Sequence, residues 1–330
     1  MPSPVNIGAL LTAGLRAEYG QAFTPRYQGV MARIGTVIGE VTSDKLTELY
    51  GALKAPIYPI RWDNGTQMPS KDVLSVQINV TNLDWGRRVY LPRNWEDDQT
   101  KTAWQVARGL GQNWATLPER LFYQFIQAGT DPDLMPVVTA SYDGTALYSA
   151  SAREGASSGN IVTQTGSTTV QQIITDFYSV DTRFNDMQNS ESQPFWDPSD
   201  LNAYTLFYGT SINLVMQQAA KQMVVMNKIA GTSTTDISTA AGVNNMVIAG
   251  GKSVSWQMSQ RITNTAIYTF LNGIPNEQRA VARQLRKGLN EAVGNWETSD
   301  HTRNTGQPYV QYDNRETMFS FLFQSTTKTV

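Results

Sequence analysis

The sequence has no cysteine and a single histidine, His301, in 330 residues. The first absence excludes disulfides, thiolate nucleophiles and cysteine-ligated metal sites. A Ser-His-Asp triad would have to use His301, which sits in the polar stretch TSDHTRNTG without apolar cover. Asp300, its sequence neighbour, is badly placed to orient the ring, so a solvated loop is the favoured reading. Zinc catalysis normally draws on several histidines and is not supported. Charge is scarce as well: charged residues make up 16% of the chain and the net charge is -2, where about a quarter charged is usual. Such a surface is either buried against other subunits or carries Gln, Asn, Ser and Thr in place of charge. The near-neutral balance argues against a dedicated nucleic-acid grip, which needs clustered Lys and Arg. No apolar run approaches about 20 residues, so no membrane span is expected. The opening stretch MPSPVNIGALLTAGLRAEYG lacks the basic flank of a secretory signal. Complete phosphate-binding loops are missing too. Gly250-Gly251-Lys252-Ser253 has Met246 where the first glycine of that motif belongs, and Gly109-Leu110-Gly111 has Trp114 in place of its third glycine. There is no internal repeat, and the length suits one large domain or two.

What is present is a run of well-patterned segments. Ile7 to Phe23 has helical spacing, with Leu10, Leu11, Leu15, Tyr19 and Phe23 near one stripe. Gly8, Gly14 and Gly20 each weaken it by roughly 1 kcal/mol relative to Ala, so the helix must dock on something, and Thr24-Pro25 is expected to end it. Tyr27 to Tyr50 reads as a helical turn followed by a strand. Ile57 to Pro92 reads as a projecting β-ribbon that begins in IYPIRW and turns near Asp63-Asn64-Gly65. It returns through VLSVQINV, where Val76, Ile78 and Val80 alternate with Gln77 and Asn79. A ribbon with little local core is marginal alone, so its partner surface is expected to include another chain. Glu96-Asp97-Asp98 then precede a spine helix from about Gln99 to Ala128. These carboxylates suit a helix N-terminus better than a hard-cation site, and no EF-hand spacing follows. Trp104, Ala107, Leu110, Gly111, Trp114, Leu117, Leu121 and Phe125 form its stripe. A kink is expected where Thr116 can cap a second segment with Pro118 near its start, and Gly129 closes the helix.

Beyond the spine, SYDGTALYS (Ser141 to Ser149) reads as a tight turn at Asp143-Gly144 between short strands, and Ser151 to Ser167 as a loop. Thr168 is expected to cap a helix with Gln171 as its capping-box partner, the stripe being Ile173, Ile174, Phe177, Phe184 and Met187. A strand at Tyr204 to Tyr208, a helix at Ser211 to Met226, and strands at Asn245 to Ala249 and Ala266 to Leu271 follow. Val281, Leu285 and Leu289 suggest a helix over Glu277 to Val293, and Thr317 to Ser325 a strand. The whole is α+β, with Tyr142 to about Thr305 as a compact mixed domain. Two groups of side chains invite a function. Trp62, Trp85, Trp95 and Trp196 could line sugar subsites beside a carboxylate pair distant in sequence, although packing in the core or an interface is the favoured use. Arg87-Arg88 with Arg93 form a small basic patch, either a solvated turn or a bidentate contact to a carboxylate on another subunit.

The order of helix, ribbon, YLPRNWEDDQT, spine helix with LGQNWATLPERLFYQFIQAGT, and SYDGTALYS resembles the Mu-type major head (major capsid) subunit of tailed bacteriophages, from Leu11 to Ala150. The matching points are Glu96 to Gln99, Leu110-Gly111, Pro118 before an aromatic-rich stretch, and Tyr142-Asp143-Gly144. After Ala150 the match fades: an aspartate-histidine-proline stretch expected of the family is replaced by Ser149-Ala150-Ser151-Ala152-Arg153. The resemblance implies the Hong Kong 97-type capsid fold. An N-terminal arm would cover residues 1–25, the start of the peripheral domain 26–54, and an extended β-loop 55–96. The spine helix and peripheral domain would cover 97–141, an axial domain 142–305, and a C-terminal strand returning to the core 306–330. It implies a structural protein, not an enzyme: a major capsid protein that self-assembles through pentamers and hexamers into an icosahedral head enclosing double-stranded DNA. Portal and scaffold proteins would be assembly partners, with a cement protein a further one, and packaged DNA would be touched weakly and non-specifically. No scaffold-like leader precedes the arm, so a separate scaffold is expected. No cofactor and no membrane are implied; the protein would reside in the virion after assembly in the host cytoplasm. The assembly-interface candidates are Trp62, Trp85, Arg87, Arg88 and Arg93. The rival readings are a nanocompartment shell protein of the same fold, a Trp-rich carbohydrate-active enzyme, and a phage tail or decoration protein.

Overall fold

The computed structural model describes residues 7–53, 75–90, 100–127, 141–166, 169–189, 191–225, 228–229, 243–244, 251–294, 299–300, 304 and 309–330. Helix α1 spans Ile7–Ile34 and runs through Pro25, where an end is predicted from the sequence. Proline inside a helix gives up a hydrogen bond and crowds the carbonyl four residues back, at a cost of about 3 kcal/mol. A ladder of rings on one stripe offsets that cost. Tyr19 stacks on Phe23 at 5.6 Å, Phe23 on Tyr27 at 5.3 Å, and Tyr19 again on Tyr312 at 4.2 Å.

Strands β1 (Ile38–Thr42), β2 (Thr47–Leu53), β3 (Ser75–Thr81) and β4 (Leu83–Tyr90) follow. Then come helices α2 (Thr100–Ala115) and α3 (Leu117–Ile126), separated at Thr116 as the sequence predicts. Thr116 does not cap α3 with its side chain; it donates instead to the Asn113 carbonyl at 2.8 Å. After β5 (Ile161–Val162), α4 (Val170–Asn185) opens on a capping box made by Thr169 and Gln172, one residue later than expected from the sequence. The chain continues through β6 (Ala203–Gly209), α5 (Asn213–Val225), β7 (Lys228–Ile229), β8 (Val243–Asn244), β9 (Ser253–Ser259) and β10 (Ile267–Leu271). It ends in β11 (Val281–Gly294), β12 (Tyr309–Ser320) and β13 (Thr326–Thr329).

A four-stranded sheet has the order β1-β11-β12-β4, and a five-stranded sheet the order β5-β13-β10-β6-β9. Three sequence expectations are corrected here. Glu277 to Val293 is not a helix: Val281–Gly294 is the strand β11, held parallel to β1 and antiparallel to β12. It lies between two neighbours with Val281, Ala282, Arg283 and Gln284 all buried, and a strand covered on both faces loses its two-residue alternation. The C-terminal strand begins earlier, at Tyr309, and stops at Ser320; a turn over Phe323–Ser325 leads into β13 in the other sheet. The Asp143-Gly144 turn is present, with Gly144 at φ +75 and its N–H on the Ser141 carbonyl, but bends and turns flank it where short strands are predicted.

The ribbon predicted over Ile57 to Pro92 is divided between two partners. Strand β3 pairs antiparallel with β2, whereas β4 pairs with β12 inside the four-stranded sheet. IYPIRW and the Asp63-Asn64-Gly65 turn lie outside the described residues. The alternation in VLSVQINV holds: Ile78 and Val80 are buried while Gln77 and Asn79 are exposed. The hairpin docks on the four-stranded sheet through Tyr50, stacked on Phe319 at 5.0 Å. On the opposite face lie the helices, where Leu15, Tyr19 and Ala107 meet Val310 and Tyr312. Gly111 makes that approach feasible, because a Cβ there would stand 2.7 Å from the Tyr19 carbonyl oxygen. The five-stranded sheet is covered on both sides. Phe122 and Tyr123 of α3 pack on Phe207 and Phe122 on Phe270, while Phe177 and Phe184 of α4 pack on Tyr204.

Candidate assembly interface

Among the described residues, strand β4 is an edge of the four-stranded sheet, with β12 on one side only. An edge presents backbone donors and acceptors that another chain can pair with. Three candidates predicted from sequence sit on it, and the pleat sorts them. Trp85 and Arg87 face the helices; Arg88 faces away. The basic patch expected from Arg87-Arg88 is therefore split between two faces. Arg88 donates through Nε and Nη2 to Gln311 Oε1 at 2.9 and 2.6 Å, and its guanidinium lies 4.3 Å from the centre of the Tyr309 ring. Trp62 and Arg93 lie outside the described residues, as do Trp95, His301 and Glu96-Asp97-Asp98.

On the helix side, Trp85, Arg87 and Val89 of β4 face Leu110, Trp114 and Arg120 across a cleft of about 700 Å³. Trp85 is anchored at its back by donating Nε1–H to the Glu316 carbonyl at 2.9 Å. Its exposed edge and that of Trp114 give the cleft an apolar floor, and Arg87, exposed, supplies a cation at the rim. Leu46 and Leu49, 55% and 51% exposed on the β2–β3 hairpin, add apolar surface facing away from the chain's own core. Trp196, by contrast, is buried and donates to the Gln324 carbonyl at 2.9 Å, so it is a packing residue and not a sugar platform.

Two polar clusters tie distant parts of the chain together, and sequence patterning missed both. Arg283 on β11 is buried against Glu316 on β12, to which it donates through Nε at 2.7 Å and through Nη2. Its Nη1 reaches Tyr27 of α1 at 2.8 Å and Glu40 of β1 at 3.0 Å. Burial pulls the guanidinium down, but the Glu316 carboxylate and Tyr27 outweigh it, and the group is held above its ordinary range. The second cluster lies beside the Tyr142-Asp143-Gly144 turn. Arg153 grips Asp143 with two donors at 2.8 and 2.7 Å, donates to the Leu147 carbonyl, and lies 3.6 Å over the Phe323 ring. Asn160 donates to the carbonyls of Leu147 and Thr326 and accepts from the Ser149 N–H. Tyr142 donates to Glu154 and accepts from Gln324; burial first, then the acceptor Glu154, pushes its phenol far up. Arg153, the last residue of the stretch where the resemblance fades, thus ties down the turn that precedes it.

The remaining motifs resolve simply. Gly109-Leu110-Gly111 is inside α2. Lys252 of the incomplete phosphate loop is bound to Asp181 of α4, which also accepts from Tyr204 Oη at 2.5 Å. Among the described residues no group of three or more His, Cys, Asp or Glu is arranged to hold a metal ion, and no helix is long and apolar enough to cross a membrane.

No family model matches the sequence, and no curated protein does. Solved structures match over nearly the full length. The capsid of a native GTA particle is 8% identical, with 91% of this chain and 89% of that chain covered at a TM-score of 0.52. The mature capsid of bacteriophage PhiM1 is 11% identical, with 89% and 85% covered at a TM-score of 0.51. A virus-like particle from Pyrococcus furiosus is 7% identical, with 94% and 98% covered at a TM-score of 0.50. Two sheets, a hairpin against one of them and a helical layer therefore make up the α+β fold of Hong Kong 97-type phage capsid subunits.

Proposed function

We propose that this chain is the major capsid protein of a tailed bacteriophage, a subunit that assembles through pentamers and hexamers into an icosahedral head around double-stranded DNA. The observation that carries the reading is the pairing of a capsid fold over about nine-tenths of the chain with a sheet edge at β4 that no other described strand covers. Heterologous contacts of that kind close into rings, and rings into shells. The Mu-type kinship rests on YLPRNWEDDQT, Leu110-Gly111 and Tyr142-Asp143-Gly144. The division into an arm (1–25), peripheral parts (26–54 and 97–141), an extended loop (55–96), an axial domain (142–305) and a returning C-terminal strand (306–330) belongs to the same proposal. Trp62, Trp85, Arg87, Arg88 and Arg93 are assigned to contacts between subunits. Portal, scaffold and cement proteins are its assembly partners in the host cytoplasm, and the virion is its destination. Its role is structural and it performs no catalysis.

Negative-stain microscopy of the purified full-length chain tests this. Closed shells are expected; a monodisperse monomer that cleaves a glycan would replace the proposal with the enzyme reading. A second reading is a protein-filled nanocompartment shell of the same fold, a fold shared with a virus-like particle from Pyrococcus furiosus. Particles isolated from the native source separate the two by whether they contain DNA.

A further inference from the structure

On the face of the four-stranded sheet away from the helices, a cleft of about 490 Å³ opens where the β2–β3 hairpin meets the sheet. Tyr50 comes from the hairpin, Ala282 from β11 and Phe319 from β12. Phe195 borders it from the loop after α4, and Phe321 and Leu322 from the stretch after β12. Phe319 stacks on Tyr50 and stands nearly edge-on to Phe321, with 86° between their planes. A concave, mostly apolar space of this size with few polar groups is the usual form of a small-molecule site.

The polar groups behind that apolar wall lack partners. The pleat places Gln284 on the same face of β11 as Ala282, and Thr317 on the same face of β12 as Phe319, and the two polar residues are cross-strand neighbours. Val41 of β1, which pairs with Gln284, also lines the cleft. Gln284 is 0% and Thr317 1% exposed. Gln284 Nε2 and Oε1, Thr317 Oγ1 and Tyr50 Oη are buried with no hydrogen-bond partner among the described residues. Buried polar side-chain atoms are paired in the large majority of cases, because an unmade bond leaves their desolvation uncompensated. Burial first, then Glu48, raises the Tyr50 phenol to about 12, so it stays protonated and able to donate. All of these atoms belong to neutral groups. Among the described residues lining the cleft only Glu277 is charged, and Arg279, close by in the chain, answers that charge.

We propose that this cleft binds a small neutral molecule with an aromatic or aliphatic body and a hydroxyl or amide end. The body packs among Tyr50, Phe195, Phe319 and Phe321, and the polar end turns toward the Tyr50 hydroxyl and the Gln284–Thr317 pair behind it. A hydroxyl or amide offers both a donor and an acceptor, which is what a glutamine amide and two hydroxyls can use. A charged end is disfavoured, because an ion taken out of water needs an opposite charge and the unpaired atoms carry none; a carboxylate would meet Glu277 as well. The apolar side chain of a neighbouring copy would fill the space between the rings but leave the same polar atoms unpaired. The assignment uses residues of one chain, goes beyond the capsid reading, and holds whether or not the subunit builds shells.

The test is saturation-transfer difference NMR of the full-length chain titrated with benzyl alcohol, toluene, benzoate and benzylammonium. Benzyl alcohol should bind more tightly than the others. Tyr50→Phe deletes a hydroxyl that has no partner, so its thermal melt should match or exceed the parent's. It should weaken benzyl alcohol about three- to tenfold, the worth of one hydrogen bond, and leave toluene unchanged. Phe195→Ala should weaken both, and Leu214→Ala, at an exposed site on α5, neither. Failure of benzyl alcohol to bind, equal affinity for toluene, or no effect of Tyr50→Phe would overturn the inference. So would tighter binding of benzylammonium that Glu277→Gln removes, which assigns the cleft to a cation. The titration is repeated on assembled shells: a signal from free subunits that vanishes in shells assigns the cleft to a neighbouring copy and also refutes the proposal. Absence of shells alongside the expected binding counts against the capsid reading alone.

Discussion

Replacing Glu316 by leucine removes the charge that balances the most deeply buried arginine of the four-stranded sheet. Glu316 is 0% and Arg283 5% exposed, so the guanidinium stays in a dry environment with Tyr27 and Glu40 as its remaining partners. Glu40 is 53% exposed and partly screened by water. Breaking a buried pair from one side costs about 3–5 kcal/mol. At about 2.1 cal/mol/K per residue, a chain of this length has an unfolding entropy on the order of 0.7 kcal/mol/K, so melting should fall by about 4–7 °C. The partner experiment is Arg283→Met together with Glu316→Leu. With both charges gone, no ion is stranded, and replacement of a buried pair by apolar side chains is often neutral or stabilising by about 1–4 kcal/mol. The double variant should therefore melt well above Glu316→Leu alone. Calorimetry or circular dichroism of the unassembled subunit measures all three. A single variant that melts within about 1 °C of the parent, or a double variant no more stable than the single, would show that the pair does not hold α1, β1, β11 and β12 together as described.

Two glycines of α2 should respond oppositely to alanine. Gly111→Ala drives a methyl against the Tyr19 carbonyl and should destabilise by about 1–3 kcal/mol, whereas Gly109, with nothing within 4 Å of its would-be Cβ, should gain up to about 1 kcal/mol; urea midpoints report both. Burial, opposed by a Ser259 hydrogen bond, raises the Tyr123 phenol to about 12. Its folded pKa exceeds the unfolded one, so its contribution is complete below pH ~10 and is lost as pH climbs toward ~12, by up to about 3 kcal/mol. The chain should weaken over that window, and Tyr123→Phe should flatten the loss in urea titrations at graded pH. Excising residues 54–74 between β2 and β3 and rejoining the strands with a short turn should leave a folded subunit that forms no closed shells, scored by chromatography and microscopy; normal shells would remove that segment from the assembly proposal.

The sequence was most readable where one periodicity ruled. The break at Thr116, the stripe of α4, and the alternation of Ile78 and Val80 all follow from one buried face against one solvated face. Legibility failed where burial came from both sides. Strand β11 carries Val281, Leu285 and Leu289 at helical spacing, while its polar Arg283 and Gln284 are buried under tertiary cover, and register shifts between Leu285 and Asn290 break the alternation further. Pro25 misled for a related reason: its local penalty was visible, but the Tyr19–Phe23–Tyr27 ladder that offsets it depends on Tyr312, nearly three hundred residues away. Of the interface candidates, Trp85 and Arg87 share a cleft and Arg88 does not, because adjacent strand residues point to opposite faces and two arginines side by side in the chain are not a pair in space. Glu316 and Arg153 gave no local signal at all, since a charged residue in a strand or loop looks solvated until its partner, far along the chain, is known.

Strand β12 sits between β11 and β4, and β13 between β10 and β5. Both insertions belong to residues 309–329, which are translated after every other strand of either sheet. The four-stranded sheet cannot close before β12 is made, nor the five-stranded sheet before β13, so a nascent chain holds two gapped sheets at once. Such long-range closure is slow, and it delays a finished edge at β4 until synthesis has passed this point.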